Sequence, residues 1–183
     1  SSDGSMPLLA PMSTIAGQLA FIVGSYHLLK HNKGKGVMIG KMDDIDPRVV
    51  TVIGAGVSGT QSILKAIDNN AIVKVVDSSQ SKLDELQSKY GCNNIEYVLS
   101  TEESIQLSIN DSDLVIGSVY VVGKEAPKVV KREMLSSMNP GTVMVDVSID
   151  QGGCFETSKP TTHDNPTFLE NDIVHYCVTN MPG

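Results

Sequence analysis

Val49-Val50-Thr51-Val52-Ile53 runs without a break into Gly54-Ala55-Gly56-Val57-Ser58-Gly59, and Asp77 closes the next apolar run, Ile72-Val73-Lys74-Val75-Val76. This order of residues predicts a buried parallel strand, a tight turn and a helix. Gly54 lets the chain turn with no Cβ in the way, and Gly56 lets the backbone approach a pyrophosphate. Gly59 lets the helix pack close to the strand. The helix opening at Val57 would offer unpaired N–H groups and a positive dipole end to phosphates. A GxGxxG string alone is weak evidence. Strand, glycines, helix and a following acid together make a dinucleotide fingerprint.

Asp77 closes the second strand about 20 residues beyond the glycines, where a carboxylate can accept hydrogen bonds from the adenosine ribose hydroxyls. The same charge repels a 2′-phosphate, which favours NAD over NADP. A plain surface acid in a strand-to-helix turn is the alternative, and the glycines upstream weigh against it. Lys82 follows on the next helix, where a cofactor contact and a solvated charge account for it equally well.

Outward from this core the chain alternates. Helices are expected over Val57–Asp68, 81–90 and from Ser100 to about Asn110, the last opened by a capping-box pattern at Ser100 and Glu103. Pro127 fits the first position of another helix over 127–138, ended by Asn139-Pro140-Gly141. Strands are expected at Val49–Ile53, 72–76, 97–99, 114–116, 143–147 and 173–178. Alternation of this kind predicts an α/β fold, a doubly wound parallel sheet of the Rossmann type in the order 3-2-1-4-5-6. Before it, Ile15, Leu19, Ile22, Tyr26 and Leu29 recur on one face of a helix over 13–31, with Ser13 as N-cap and Asn32 and Gly34 as its stop. That face could serve internal packing or assembly. Residues 33–47 read as a connector with a short strand at Val37-Met38-Ile39. The division is a connecting helix and linker over 1–47 and a single NAD-binding domain over 48–183.

The 183 residues suffice for one domain with a substantial core. A net charge of −7 argues against a nucleic-acid surface, which needs a basic stripe. No apolar run approaches the ~20 residues of a membrane span. Ser1-Ser2-Asp3-Gly4 has neither the basic nor the apolar region of a signal peptide. The three cysteines, Cys92, Cys154 and Cys177, lack metal spacing and read as buried or half-buried thiols in a reducing cytoplasm, without disulfides or zinc.

The second informative stretch is Val145-Asp146-Val147-Ser148-Ile149-Asp150-Gln151-Gly152-Gly153, at the end of a strand that borders the nicotinamide half of the crevice. An acid beside two glycines leaves room for a ring or a substrate. An Asp that merely caps a loop fits the local sequence as well. His27 and His31 fall on the first helix, His163 in a polar turn and His175 in a strand. None has partners for a catalytic triad or a metal set.

These residues resemble the alanine dehydrogenase family over nearly the whole chain. The strings that carry the likeness are Pro7-Leu8-Leu9-Ala10-Pro11-Met12-Ser13, with Ile15-Ala16-Gly17, and Gly123-Lys124-Glu125-Ala126-Pro127-Lys128. Asp150-Gln151-Gly152-Gly153, Pro160-Thr161-Thr162-His163-Asp164, His175-Tyr176-Cys177 and Asn180-Met181-Pro182-Gly183 complete them. Ala55 stands where the family often has glycine, and Ser118-Val119-Tyr120 where it is more aliphatic.

The resemblance implies oxidation of L-alanine to pyruvate and ammonium with NAD as cofactor, in a cytoplasmic homohexamer, with no membrane or nucleic-acid partner. It also implies a protein about twice this length, whose substrate domain and acid/base histidine lie outside this chain. By resemblance Ser13 contacts the cofactor from the helix start and Gly56 with Val57 lies under the pyrophosphate; Asp77 and Lys82 hold the adenosine ribose region; Ser100 lies near the adenine. Val119, Tyr120, Val147, Ser148, Ile149 and Asp150 line the inner crevice, with Lys159 as a further contact. Val178, Thr179, Asn180 and Met181 border the nicotinamide, and Asp150 is the catalytic residue. Two other readings stand beside this one: the NAD-binding part of a nicotinamide nucleotide transhydrogenase, and a non-catalytic NAD-sensing module.

Overall fold

The fold comes from a computed structural model, which describes residues 9–183. Pro7 and Leu8 of the opening string, and the four residues read against a signal peptide, lie outside them. The sheet has seven strands: β1 Val49–Ile53, β2 Ile72–Asp77, β3 Ile95–Leu99, β4 Leu114–Gly117, β5 Val143–Asp146, β6 Thr167–Glu170 and β7 Ile173–Tyr176. Their order is β3-β2-β1-β4-β5-β7-β6. All neighbours are parallel except the β6–β7 pair. The expected order therefore holds for six strands, with β7 in the sixth place. The antiparallel edge strand β6 was not foreseen, because Asn171 and Asp172 turn it back on β7 with positive φ (50° and 60°) in a stretch that reads as loop.

Helices α2 Val57–Asp68, α3 Gln80–Tyr90 and α4 Glu102–Asn110 fill the crossovers. The central strands β1, β4, β5 and β7 are buried on both faces, as their unbroken Val/Ile runs require. One core layer packs α2, α3 and the first helix against the sheet. The other gathers Ile105, Ile109, Met134, Leu135 and Phe155 on the opposite face.

Several expectations are corrected. The capping box lies one residue later than read: Thr101 Oγ1 accepts from Ser104 N at 3.0 Å, and Ser104 Oγ accepts from Thr101 N at 2.8 Å. Ser100 is not free for the role, since its N–H extends the strand by donating to Asp77 O at 2.9 Å. The helix over 127–138 is absent, and only the 3-10 turn Arg132–Ser137 forms. The segment ahead of it lies alongside 151–156 instead, with Ala126 N donating to Gln151 O and Val129 N to Cys154 O. Val130 is taken as well, its N–H donating to Cys154 O and its C=O accepting from Glu156 N, the groups that a helix would pair with Ala126 and Met134. No strand forms at Val37–39, where Met38 is exposed and the nearest pairing is a single Met42–Ile45 bridge. Cys92 is exposed, while Cys154 and Cys177 are buried.

The first helix, α1, spans Leu9–His27. Ser13 lies inside it rather than at its cap; Pro11 is tolerated in the first turn, where no N–H partner is lost. The apolar face read from the sequence is not the one that packs. Ile15, Ile22 and Tyr26 are about half exposed, whereas Ala16, Ala20, Phe21, His27 and Leu28 are buried. Of the expected face Leu19 packs on the core, and the packed face has glycines at 17 and 24, where α1 crosses α2 and the sheet most closely. A Cβ on Gly17 would lie 2.0 Å from Ser58 O, and one on Gly24 would lie 2.5 Å from Leu114 Cδ1.

Candidate functional site

The glycine turn has the shape its sequence predicts. Gly54 has φ +92°, and a Cβ there would meet Ser118 O at 2.6 Å. A Cβ on Gly59 would overlap Gly54 O at 1.8 Å. Gly56 differs from both: a Cβ there would have no atom within 4 Å. Gly56 is also the N-cap of α2 and supplies no side-chain cap, and the first turn of α2 carries no acid. The amide end of a twelve-residue helix thus faces open space across a residue without a side chain. That is a fitting cradle for a phosphate anion.

Asp77 is fixed against this turn. Its Oδ2 accepts from Ala55 N at 2.7 Å and its Oδ1 from Ser79 N at 2.9 Å. Each carboxylate oxygen keeps a second lone pair for a ligand hydroxyl. Ser100 is brought beside it through the bond to Asp77 O. Lys82 sits in the first turn of α3, half-buried, its backbone N–H donating to the N-cap Ser79 at 3.4 Å. Ser13 lies one helical turn before Gly17, the residue pressed against Ser58 at the start of α2.

The other half of the crevice forms at the ends of β4, β5 and β7. Ser118 Oγ donates to Gly54 O at 2.7 Å and ties β4 to the glycine turn. Val119 is half-buried and Tyr120 exposed. Ser148 Oγ donates to Val119 O at 2.8 Å, and Val147 N donates to Gly117 O. Ile149 is buried beneath the 3-10 turn Ile149–Gln151, which carries the exposed Asp150. Both oxygens of Asp150 accept from the backbone N–H of Asn180, at 3.1 and 3.2 Å. Asp150 and the 178–181 segment therefore meet, with Val178 and Met181 buried and Thr179 and Asn180 exposed.

Lys159 is not brought to this group. Its ammonium lies 3.7 Å from Glu170 and over the ring of Phe168, both on β6. Those contacts belong to the sheet edge rather than to the strand ends.

The sequence strings include Asp146, Ser118, Gly17 and Lys128 but give none of them a role. Asp146 is fully buried at the end of β5. It accepts from the N–H groups of Ser148 (3.0 Å), Cys154 (2.9 Å) and Phe155 (3.3 Å), and from the hydroxyl of Ser158. Burial raises its pKa above the usual carboxylate value, against the pull of those hydrogen bonds. Burial also raises the thiols beside it, with the Asp146 charge adding to the effect: Cys154 lies well above its ordinary value and Cys177 is pushed to about 12. The signal was available, for a carboxylate inside Val143-Met144-Val145-Asp146-Val147 must find donors or remain protonated. Among the described residues no cluster of three or more His, Cys, Asp or Glu could hold a metal ion, and no helix is long and apolar enough to cross a membrane.

Comparison with known proteins agrees with this geometry. Residues 20–183 match the family described as alanine dehydrogenase/PNT, C-terminal domain. The chain is 48% identical over 181 residues to the alanine dehydrogenase of Halomonas elongata, covering 99% of this chain and 48% of that protein. A solved L-alanine dehydrogenase superposes with a TM-score of 0.94 at 38% identity, covering 98% of this chain and 50% of that one. A transhydrogenase from Sinorhizobium meliloti has a TM-score of 0.79 at 23% identity, covering 94% and 49%, and shows a likeness of fold alone. The chain spans about half the length of the relatives it matches. With strand order, glycine turn and acids all in place, and a family match over most of its length, the chain belongs to the alanine dehydrogenase/PNT C-terminal domain family.

Proposed function

We propose that this chain is the nucleotide-binding half of an NAD-dependent L-alanine dehydrogenase. The observation that carries this reading is the open space over Gly56 at the uncapped start of α2, with the carboxylate of Asp77 anchored beside it. The pyrophosphate rests on the amides around Gly54, Gly56, Val57 and Gly59, near Ser13. Asp77 and Lys82 hold the adenosine ribose, and Ser100 lies near the adenine. Val119, Tyr120, Val147, Ser148 and Ile149 form the inner wall, and Val178, Thr179, Asn180 and Met181 border the ring. The side-chain contacts of Lys159 give it no part in this set.

Bound NAD would supply the acceptor for the hydride of the alanine Cα. The residues of this chain hold the ring against the substrate and arrange protons. Asp150 is placed to hold the alanine amine and, after the hydride has left, to orient the water that releases pyruvate and ammonium. Its negative charge favours the positive charge that develops on nitrogen. Residues 1–47 lead from the substrate half into the unit formed by 48–183, although α1 itself packs into the core of that unit. The remaining substrate contacts come from the other half, so this chain alone binds NAD(H) without oxidising alanine. Assembly as a homohexamer in the cytoplasm follows from the same reading.

Calorimetric titration of the chain with NADH and NADPH tests it. NADH should bind more tightly than NADPH. Asp77→Ala should weaken NADH about tenfold or more, as expected for loss of a charge-assisted hydrogen bond worth about 1.5–3 kcal/mol. No binding, or equal binding of the two coenzymes, would remove the basis of the proposal.

A further inference from the structure

The loop that carries Asp150 is gripped from both faces by side chains of opposite charge. Gly152 and Gly153 both have positive φ, 89° and 78°, and the trans peptide joining Gly153 to Cys154 points its C=O and N–H to opposite sides. On the inner side Asp146 takes the N–H groups of Ser148, Cys154 and Phe155 and the hydroxyl of Ser158. On the outer side the ammonium of Lys128 donates to Gly153 O at 2.7 Å and to Gly152 O. A Cβ on Gly153 would lie 2.8 Å from Asp146 Oδ2, so the second glycine is required by the inner grip itself. The Ile149–Gln151 turn lies between Ser148 and Gly152, and its Asp150 reaches Asn180.

We propose that Asp146 and Lys128 are positioning residues for Asp150. The carboxylate collects the amides of the loop and the ammonium collects its carbonyls, and together they fix where the Asp150 carboxylate stands at the crevice. This gives Lys128 and the glycine pair a common purpose, and it explains why an acid is tolerated in the buried end of β5. The inference rests on the dehydrogenase reading only in assigning Asp150 to the chemistry.

Two measurements on the full-length protein test it. The first is L-alanine oxidation by Lys128→Met, Lys128→Arg and Asp146→Asn, alone and combined with Asp150→Asn. Lys128 is partly exposed, so Lys128→Met should fold even if Asp146→Asn does not. The expected result for Lys128→Met is a fall in kcat of up to about a hundredfold, the scale of an ångström-sized misplacement. NADH affinity should stay within about twofold, the usual error of additivity for independent sites. Lys128→Arg should restore part of the loss, and in the Asp150→Asn background Lys128→Met should cost nothing more. Equal losses in both backgrounds would overturn the proposal.

The second measurement is amide hydrogen exchange. Lys128→Met should speed exchange at Asn180, whose N–H is held by Asp150, while amides of β1 keep their protection. Unchanged exchange at Asn180 would overturn the proposal. Should the wild type make no NADH from L-alanine, the dehydrogenase reading falls, and exchange at Asn180 alone decides the positioning claim.

Discussion

Three glycines of one turn have three different reasons to lack a side chain. Gly59 is needed for packing, since its Cβ would sit inside the van der Waals radius of Gly54 O. Gly54 is needed both for its positive φ and for its approach to Ser118 O. Gly56 has allowed backbone angles, φ −70° and ψ −162°, and empty space where a Cβ would go. Gly59→Ala should therefore destabilise the chain by about 2 kcal/mol or more, the scale of forced overpacking. Gly56→Ala should leave the thermal midpoint nearly unchanged yet abolish most NADH binding. Melting curves and titrations on the two variants separate these effects. Equal losses of stability in both would show that Gly56 serves folding rather than a ligand.

At the scale of elements, the contact of α1 with α2 is the least expected feature. Gly17 sits over the first turn of α2, and Ser62 Oγ donates to Gly17 O at 2.7 Å. On an isolated helix, Gly→Ala would stabilise by about 1 kcal/mol. Here Gly17→Ala should do the reverse and cost about 1–3 kcal/mol, because the methyl meets the backbone oxygen of Ser58. It should also weaken NADH binding, since relief of the clash displaces the start of α2. Denaturant unfolding of this variant, compared with alanine at the exposed Ile22, provides the check. A Gly17→Ala protein more stable than wild type would show that the two helices do not press together here.

For the whole molecule, buried titratable groups set how stability changes with pH. His175 is buried on β7, stacked on Phe168 of β6, with Nε2 at 2.8 Å from the hydroxyl of Thr157 and Nδ1 at 3.1 Å from Ile173 O. Burial lowers its pKa below the ordinary imidazole value. His27 is lowered by burial and then by the charge of His31, and its Nδ1 has no hydrogen-bond partner among the described residues. A group lowered on folding binds fewer protons in the native state, so stability is lost as pH falls below the unfolded value of about 6.5. Asp146, whose pKa is raised, acts in the opposite sense: its contribution is fullest below the ordinary carboxylate value and declines as pH rises through the raised one. The thermal midpoint should therefore fall between pH 7 and pH 5, and more shallowly in His27→Leu, which removes one of the two imidazoles. Melts of both proteins across that range measure the slopes, and identical slopes would exclude His27 as a contributor.

What the sequence determined by itself is what short-range physics determines. Short runs rich in Val and Ile, set between turn residues, fit strands buried on both faces, and a strand running into Gly54-Ala55-Gly56-Val57-Ser58-Gly59 with an acid beyond it fits a tight turn into a helix; sheet order and glycine cradle were legible for that reason. Asp77 was legible because its place depends on the same local unit. What the tertiary structure alone decided depends on residues far apart in the chain. The packing face of α1 was settled by how closely α2 approaches, which the hydrophobic pattern Ile15-Leu19-Ile22 does not encode. The helix expected after Pro127 was lost to pairing with residues 151–156, and the strand β6 was made by a turn that propensity reads as loop. Asp146 and Lys128 stand in legible strings, but nothing local joins one to the other. Their meaning arises only where a buried carboxylate, an ammonium from 18 positions earlier in the chain and two left-handed glycines enclose one loop, because hydrogen bonds are satisfied in space and not along the sequence.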